Sequence, residues 1–179
     1  MPPVPPLTAA GAIESLSRVI PDFPQPGVQF LDLTPVLADG DALAVVVDAL
    51  VEPFRGEIDI IAGVEARGFA FAAAAAARSG LGVLLVRKAG KLPGARIAES
   101  YSLEYGEATL EVHIDQVPPG TRVLLVDDVL ATGGTIGAAA TLIERAGWAI
   151  AGISVVLEIP VLGGRAALDP RVIHTLHLA

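Results

Sequence analysis

"VLLVDDVLATGGTIGAAATLIERAG", residues 123–147, passes from an apolar run through two adjacent carboxylates and a glycine–threonine loop into an alanine-rich stretch. The apolar run belongs to a predicted strand, "TRVLLVDD" (121–128), and the alanine-rich part to a helix over 135–147 that Gly147 stops. A strand that runs through a tight loop directly into a helix is the repeating unit of an α/β sheet. Upstream, "IDIIAGV" (58–64) reads as a buried strand before the helix "GFAFAAAAAARSG" (68–80), closed by Gly80. "GVLLVRK" (82–88) is a second strand, "AGISVVLEI" (151–159) a later one, and "RVIHTLHL" (171–178) the last. Such continuous apolar strands predict a mostly parallel central sheet flanked by helices. Ligands in these sheets bind beyond the carboxyl ends of the strands, in the loops that enter helices.

The rest of the chain is less regular. Residues 1–8 are proline-rich, and "AIESLSRVI" (12–20) fits a short amphipathic helix. "PDFPQPGVQFLDLTPVL" (21–37) holds four prolines and a glycine, which argues against regular helix and for an extended, turning arm. "DALAVVVDALVEPF" (41–54) is a helix that Pro53 helps to end. Between strands 82–88 and 121–128 lies a polar excursion, residues 89–108, with three glycines, a proline and both tyrosines of the chain. "TLEVHI" (109–114) then alternates like a half-exposed strand. An excursion of that length at the ligand-binding edge of a sheet reads as a lid. The expected organisation is a single domain, 1–179, with an N-terminal arm (1–35) and a lid (89–108).

With 53% hydrophobic residues the 179-residue chain can bury a full core, and without cysteine it has neither disulfides nor thiolate metal sites. Its longest apolar runs are shorter than the roughly 20 residues that span a bilayer, and no secretory leader is visible. The expectation is a cytoplasmic protein with no membrane association. A net charge of −8 argues against a nucleic-acid partner. The only two lysines, Lys88 and Lys91, nevertheless lie together with Arg87 in "RKAGK" (87–91), as either a solvated turn or a local anion site.

The loop "DDVLATGGT" (127–135) carries the chemistry. Amides at a helix start lack partners and the helix dipole favours an anion there. Gly133 and Gly134 let those amides approach a phosphate closely, and Thr132 and Thr135 add hydroxyl donors. The loop lacks the Gly-Lys-Ser/Thr of a Walker A motif and the G-x-G-x-x-G of a dinucleotide fingerprint. A plain strand–turn–helix with a threonine cap also fits it. Asp127 and Asp128 can bind a metal, accept hydrogen bonds from sugar hydroxyls, stabilise positive charge, or cap the loop. Together the carboxylates and the loop favour a sugar phosphate.

"VLLVDDVLATGGT" resembles the diphosphate-sugar signature of the type I phosphoribosyltransferases. "PDFPQPGVQF" (21–30), "EARGF" (65–69), "VRKAGKLPG" (86–94) and "ESYSLEYG" (99–106) narrow the resemblance to the adenine phosphoribosyltransferase family, with "LEIPVLGGRAAL" (157–168) a weaker match. The resemblance implies the type I fold, with an N-terminal hood and a flexible lid. It implies transfer of a ribosyl phosphate from 5-phosphoribosyl 1-diphosphate (PRPP) to adenine N9, giving AMP and diphosphate with Mg2+, in a homodimer. The transition state of such a transfer resembles an oxocarbenium ion, so charge must be stabilised and water excluded.

Residue by residue, the resemblance assigns the 5′-phosphate to Ala131, Thr132, Gly133, Gly134 and Thr135. It sets Asp127 and Asp128 at the ribose and the magnesium, directly or through water. It gives the diphosphate to Arg67, Arg87, Lys88, Lys91 and Tyr105, with Arg87 serving its own or a neighbouring subunit. Glu104 manages the proton on adenine N7. Phe30 packs on the purine, and the main chain at Gln29 and Leu31 reads its edge; Leu31 stands where many members carry a basic residue. His113, His174 and His177 receive no role, and Trp148 and Ala72–Ala77 read as packing. Two other readings remain: a phosphoribosyltransferase for hypoxanthine, guanine or xanthine, and a noncatalytic PRPP-binding regulator.

Overall fold

The computed structural model describes residues 7–23, 26–27, 29–102 and 107–179. Helix α1 (Ala9–Leu16) leads into a hairpin of β1 (Arg18–Pro21) and β2 (Gln29–Asp32), then helices α2 (Thr34–Ala38) and α3 (Gly40–Val51). A βαβ unit follows, made of β3 (Ile60–Val64), α4 (Arg67–Ser79) and β4 (Gly82–Lys88). After β5 (Arg96–Ser102) and β6 (Glu107–His113) come β7 (Arg122–Leu130), α5 (Gly134–Arg145), β8 (Ala149–Glu158), the short α6 (Gly164–Ala167) and β9 (Ile173–Leu178). The main sheet runs β5-β6-β4-β3-β7-β8-β9. β4, β3, β7, β8 and β9 are parallel, and β6 and β5 add antiparallel at one edge.

Strand β7 shows why the parallel part forms. Its apolar residues alternate between the two faces of the sheet. Leu124 and Val126 join a core with Leu50 and Phe71, from α3 and α4. Val123 and Leu125 join a second core with Ile136, Leu142 and Ile143 of α5. Burying a side chain of this size contributes roughly 1.5–3 kcal/mol, so helices on both faces are needed to keep the strand interior. Trp148 belongs to the second core and is 4% exposed.

Three segments depart from the sequence reading. The first helix starts earlier, where the Thr8 hydroxyl accepts from the Gly11 N–H at 3.1 Å, and it ends at Leu16. Residues 18–21 instead pair with 29–32, and the β-branched Val19 and Ile20 suit a strand. Within the arm, Thr34–Ala38 is helical after all, because Pro35 lies in the first turn, where its missing N–H is not required. The excursion 89–108 is not all loop: Arg96–Ser102 is a strand in register with β6, from Arg96 opposite His113 to Ser102 opposite Glu107. Its base is pinned by Glu111, 2% exposed, whose carboxylate accepts from the Lys91 and Leu92 amides at 2.8 and 2.7 Å and faces Arg96 at 3.1 Å. Burial opposes ionisation of Glu111, but these amides, Gly90 and Arg96 together hold its pKa below the ordinary value.

On β8, Gly152 faces the ring of Phe54, and a Cβ there would lie 2.5 Å from Phe54 Cζ and 2.9 Å from Cδ1. The ring belongs to a packed core and cannot swing away freely. Gly152→Ala is expected to destabilise the fold by about 1–3 kcal/mol. In thermal unfolding this is a fall of several degrees in Tm. An unchanged Tm would show that the core yields at this point.

Candidate active site

Strand β7 runs two residues past the expected end, to Leu130, and carries a buried acidic pair near its carboxyl end. Asp127 and Asp128 are 8% and 7% exposed. Asp127 Oδ1 accepts from the Asp128 N–H at 2.9 Å, and the Asp128 carboxylate is paired with the Arg67 guanidinium at the start of α4. Burial first, and then the charge of Asp128, push the Asp127 carboxyl well above the usual carboxylate range. Arg67 reaches this pair because its neighbour has no side chain: a Cβ on Gly68 would lie 2.7 Å from Asp127 Oδ1 and 3.1 Å from the Val126 carbonyl oxygen. The preceding peptide, Glu65–Ala66, is cis. The parallel register of β3 with β7, Gly63 opposite Val126, brings the two loops side by side.

Three cavities converge here, and Val129 lines all of them. The first, about 530 Å³, has Arg67, Lys88, Asp127, Asp128, Tyr101 and Thr135 in its wall. Its wall is half polar and carries both charges of the ion pair. The second, about 60 Å³, is the nest formed by Ala131–Ile136 at the N-terminus of α5. Gly133 caps that helix with φ +85°, a left-handed conformation that favours glycine. The third, about 450 Å³, is mostly apolar and lies under the β1–β2 hairpin, between Phe30 and the ends of β7 and β8 at Val129, Leu157 and Ile159. Phe30 is held edge-on by Phe23, with ring centroids 5.1 Å apart, and carries the Arg67 guanidinium 5.3 Å from its centroid. A small nest at a helix start, a charged chamber and an apolar slot therefore share one wall.

The phosphoribosyl transferase domain family matches residues 29–170. The adenine phosphoribosyltransferase of Clavibacter michiganensis subsp. michiganensis is 61% identical over 176 residues, covering 97% of this chain and 100% of that protein. The chain belongs to the adenine phosphoribosyltransferase family. A further relative, the enzyme of Clavibacter sepedonicus, is 60% identical over 97% of this chain and 90% of its own length. The solved structure of the family member from Thermoanaerobacter pseudethanolicus superposes with a TM-score of 0.90 at 44% identity, over 95% of this chain and 99% of that one. The Saccharomyces cerevisiae member, solved with an imino-altritol bisphosphate and adenine, gives 0.89 at 35% identity over 94% and 98%. Fold and family thus agree with the sequence reading.

The cations cluster less tightly than their spacing suggests. Arg67 and Lys88 line the charged cavity, whereas Arg87 and Lys91 are not in its wall. Neighbours on a strand point to opposite faces, so β4 separates Arg87 from Lys88. Arg87 lies 3.4 Å from the Glu65 carboxylate and 5.9 Å from the Phe69 ring centroid. Gln29, Phe30 and Leu31 line the apolar cavity as a group. Glu104 and Tyr105 lie outside the described residues.

Several wall residues were not singled out in the sequence. Glu65 holds the Lys88 amide at 3.0 Å, and the Tyr101 hydroxyl accepts from Thr135 Oγ1 at 3.1 Å. Val129, hidden in an apolar run, is the shared partition. His177, given no role, also lines the apolar cavity. Only the "EARG" and "ESYS" blocks pointed toward Glu65 and Tyr101; nothing marked Val129 or His177.

Gly68→Ala would displace the Asp127 carboxylate while leaving both cores intact. The variant is expected to fold and to lose at least tenfold in turnover, about 1.4 kcal/mol in the barrier. Steady-state rates alongside a melting curve check this; wild-type turnover would mean that the close approach of α4 to β7 is dispensable.

Proposed function

We infer that this chain joins adenine N9 to C1 of PRPP, forming AMP and releasing diphosphate, in keeping with its relatives' name, adenine phosphoribosyltransferase. The observation that carries the reading is the meeting of the three cavities at Val129. One sugar phosphate can lay its 5′-phosphate in the nest at Ala131–Thr135, its ribose over Asp127 and Asp128, and its diphosphate toward Arg67 and Lys88. The reacting carbon then lies at the partition, beside the apolar slot where Phe30 can stack on the base. Two helix N-termini, those of α4 and α5, face this region and favour the two anionic groups.

As the bond from C1 to the diphosphate oxygen breaks, positive charge grows on the ribose ring and negative charge on the leaving group. The acidic pair stabilises the first, and Arg67 and Lys88 with the α4 amides stabilise the second. Phe30 and the hairpin shield the base side from water. Glu104 manages the proton at adenine N7, and Tyr105 closes over the diphosphate with Lys91 at the rim of the turn, in the roles the family resemblance implies. Main-chain groups at Gln29 and Leu31 read the edge of the base.

The family resemblance also implies Mg2+, and the donor set suits a hard divalent ion. Asp127 and Asp128 offer carboxylate oxygens, and among the described residues Arg67 is the one cation paired with them. Among the described residues no group of three or more His, Cys, Asp or Glu side chains is arranged to cage a metal. Asp127 and Asp128 would hold such an ion, and it would supply charge neutralisation to PRPP.

A homodimer is the second part of the reading. β4 lies between β3 and β6, yet Val83 and Leu85 on one of its faces are 37% and 38% exposed. Ala73 and Ala77 of the adjacent α4 are exposed as well. A second copy of the chain is the natural cover for this apolar face. Alternation places Arg87 on the same face, which supports a role for it at the neighbouring subunit's site. Among the described residues no helix is long and apolar enough to cross a membrane.

Two experiments test this. Turnover of adenine, hypoxanthine, guanine and xanthine with PRPP is expected to favour adenine by at least about a hundredfold, since a site built to pair one base edge leaves polar groups unmatched with another. Preference for a 6-oxopurine, or donor binding without turnover of any base, would overturn the assignment. Light scattering on the purified protein is expected to give twice the chain mass, and Leu85→Glu to give monomers with reduced turnover. A monomeric, fully active wild type would remove the dimer and the cross-subunit role of Arg87.

A further inference from the structure

Behind the nest at Ala131–Thr135, on the side away from the charged cavity, lies α6. Its first residue, Gly164, is buried. A Cβ on Gly164 would overlap the Ala131 carbonyl oxygen and lie 2.8 Å from Leu130 Cδ1 and 3.0 Å from the Gly133 amide nitrogen. The contact is reciprocal. A Cβ on Gly133 would lie 2.9 Å from the Gly164 carbonyl oxygen and 3.3 Å from its Cα. Two glycines from distant parts of the chain thus meet backbone to backbone, and neither tolerates a side chain without moving the loop.

The backing is itself anchored. Arg165, the next residue, donates to Glu158 Oε1 at 2.9 Å, to the Ile173 carbonyl at 3.1 Å and to Thr175 Oγ1 at 2.9 Å. Glu158 is 4% exposed and ends β8, so this ion pair ties α6 to β8 and β9. Burial opposes it less than the Arg165 hydrogen bonds favour it, and the Glu158 pKa lies below the ordinary value. On the other flank, Leu168 is 1% exposed in the core beneath α5. The Ile159 amide donates to the Leu130 carbonyl at 2.9 Å, closing the same corner.

We propose that Gly164, held by Arg165, is a positioning residue for the 5′-phosphate: it sets the height and tilt of the loop 131–135 by direct backbone contact. The proposal rests on the reading of that loop as the 5′-phosphate nest. A phosphate is held only when several amides converge on it at about 2.7–3.2 Å. Displacing such a cradle by about 1 Å can cost on the order of a hundredfold in function. The acidic pair lies on β7 and the cations Arg67 and Lys88 on α4 and β4, whereas α6 meets β7 at Leu130, beyond that pair, so the diphosphate side is insulated from the change.

The test compares ligands that carry a 5′-phosphate with one that does not. In Gly164→Ala, calorimetric Kd values for ribose 5-phosphate and AMP are expected to rise at least about tenfold. That for magnesium diphosphate is expected to stay within about twofold. Arg165→Lys, an exposed-side change that keeps the charge but loses the bridging geometry, is expected to move the same two ligands in the same direction by less. It carries the test if Gly164→Ala does not fold. Unchanged sugar-phosphate affinity, or an equal loss for all three ligands, would overturn the proposal. Thr132→Val separates its failure from that of the nest. If Thr132→Val weakens ribose 5-phosphate and Gly164→Ala does not, only the buttress falls. If Thr132→Val has no effect, the nest reading falls and the buttress with it.

Discussion

Two adjacent carboxylates buried at the end of an interior strand, with one guanidinium beside them, form the constraint on which the rest of the molecule depends. Removing two charges from water is costly, and one cation offsets only part of that cost. The fold accepts the excess negative charge because β7 is locked between β3 and β8 by core packing on both faces. The residual charge is what a ribose turning cationic, and a divalent ion beside it, would relieve. Asp127, pushed toward the protonated form by burial and by Asp128, is the clearest mark of that unsatisfied state.

Keeping the pair usable requires close approaches that side chains would block. Gly68 lets α4 slide against β7 so that Arg67 reaches Asp128, and the Gly133–Gly164 contact lets α6 back the loop at the start of α5. The glycines therefore act as spacers between elements as much as turn formers. Val129 follows from the same geometry. One side chain beyond the acidic pair, it stands where nest, charged chamber and apolar slot meet, and so sets their spacing.

Much of this was legible in the chain. The strand 82–88 is found with those limits, and the strand–loop–helix order of 121–147 holds, although β7 continues to Leu130 and the helix starts at Gly134, so the loop shrinks to Ala131–Gly133. Apolar runs that are buried on both faces announce themselves without knowledge of their neighbours. What was not legible depends on pairing at a distance. Arg96–Ser102 is polar enough to read as loop until β6 supplies its hydrogen bonds, and Val19–Ile20 read as helix until Phe30–Leu31 lay opposite. The "RKAGK" cluster misled in another way, since proximity in sequence hides strand alternation and Lys88 alone of its three cations lines the cavity. Val129 and His177 carry no chemical signature; only their position makes them part of the site.

A crystal structure with PRPP and magnesium would show whether the β7–α5 corner measures one sugar phosphate, with the anion at the nest and the ribose at the acidic pair. The 5′-phosphate is expected to accept hydrogen bonds from the amides and hydroxyls of Thr132–Thr135, the ribose hydroxyls to face Asp127 and Asp128, and the diphosphate to contact Arg67 and Lys88. A 5′-phosphate seated instead at Arg67 and Lys88, with the nest holding only water, would contradict it.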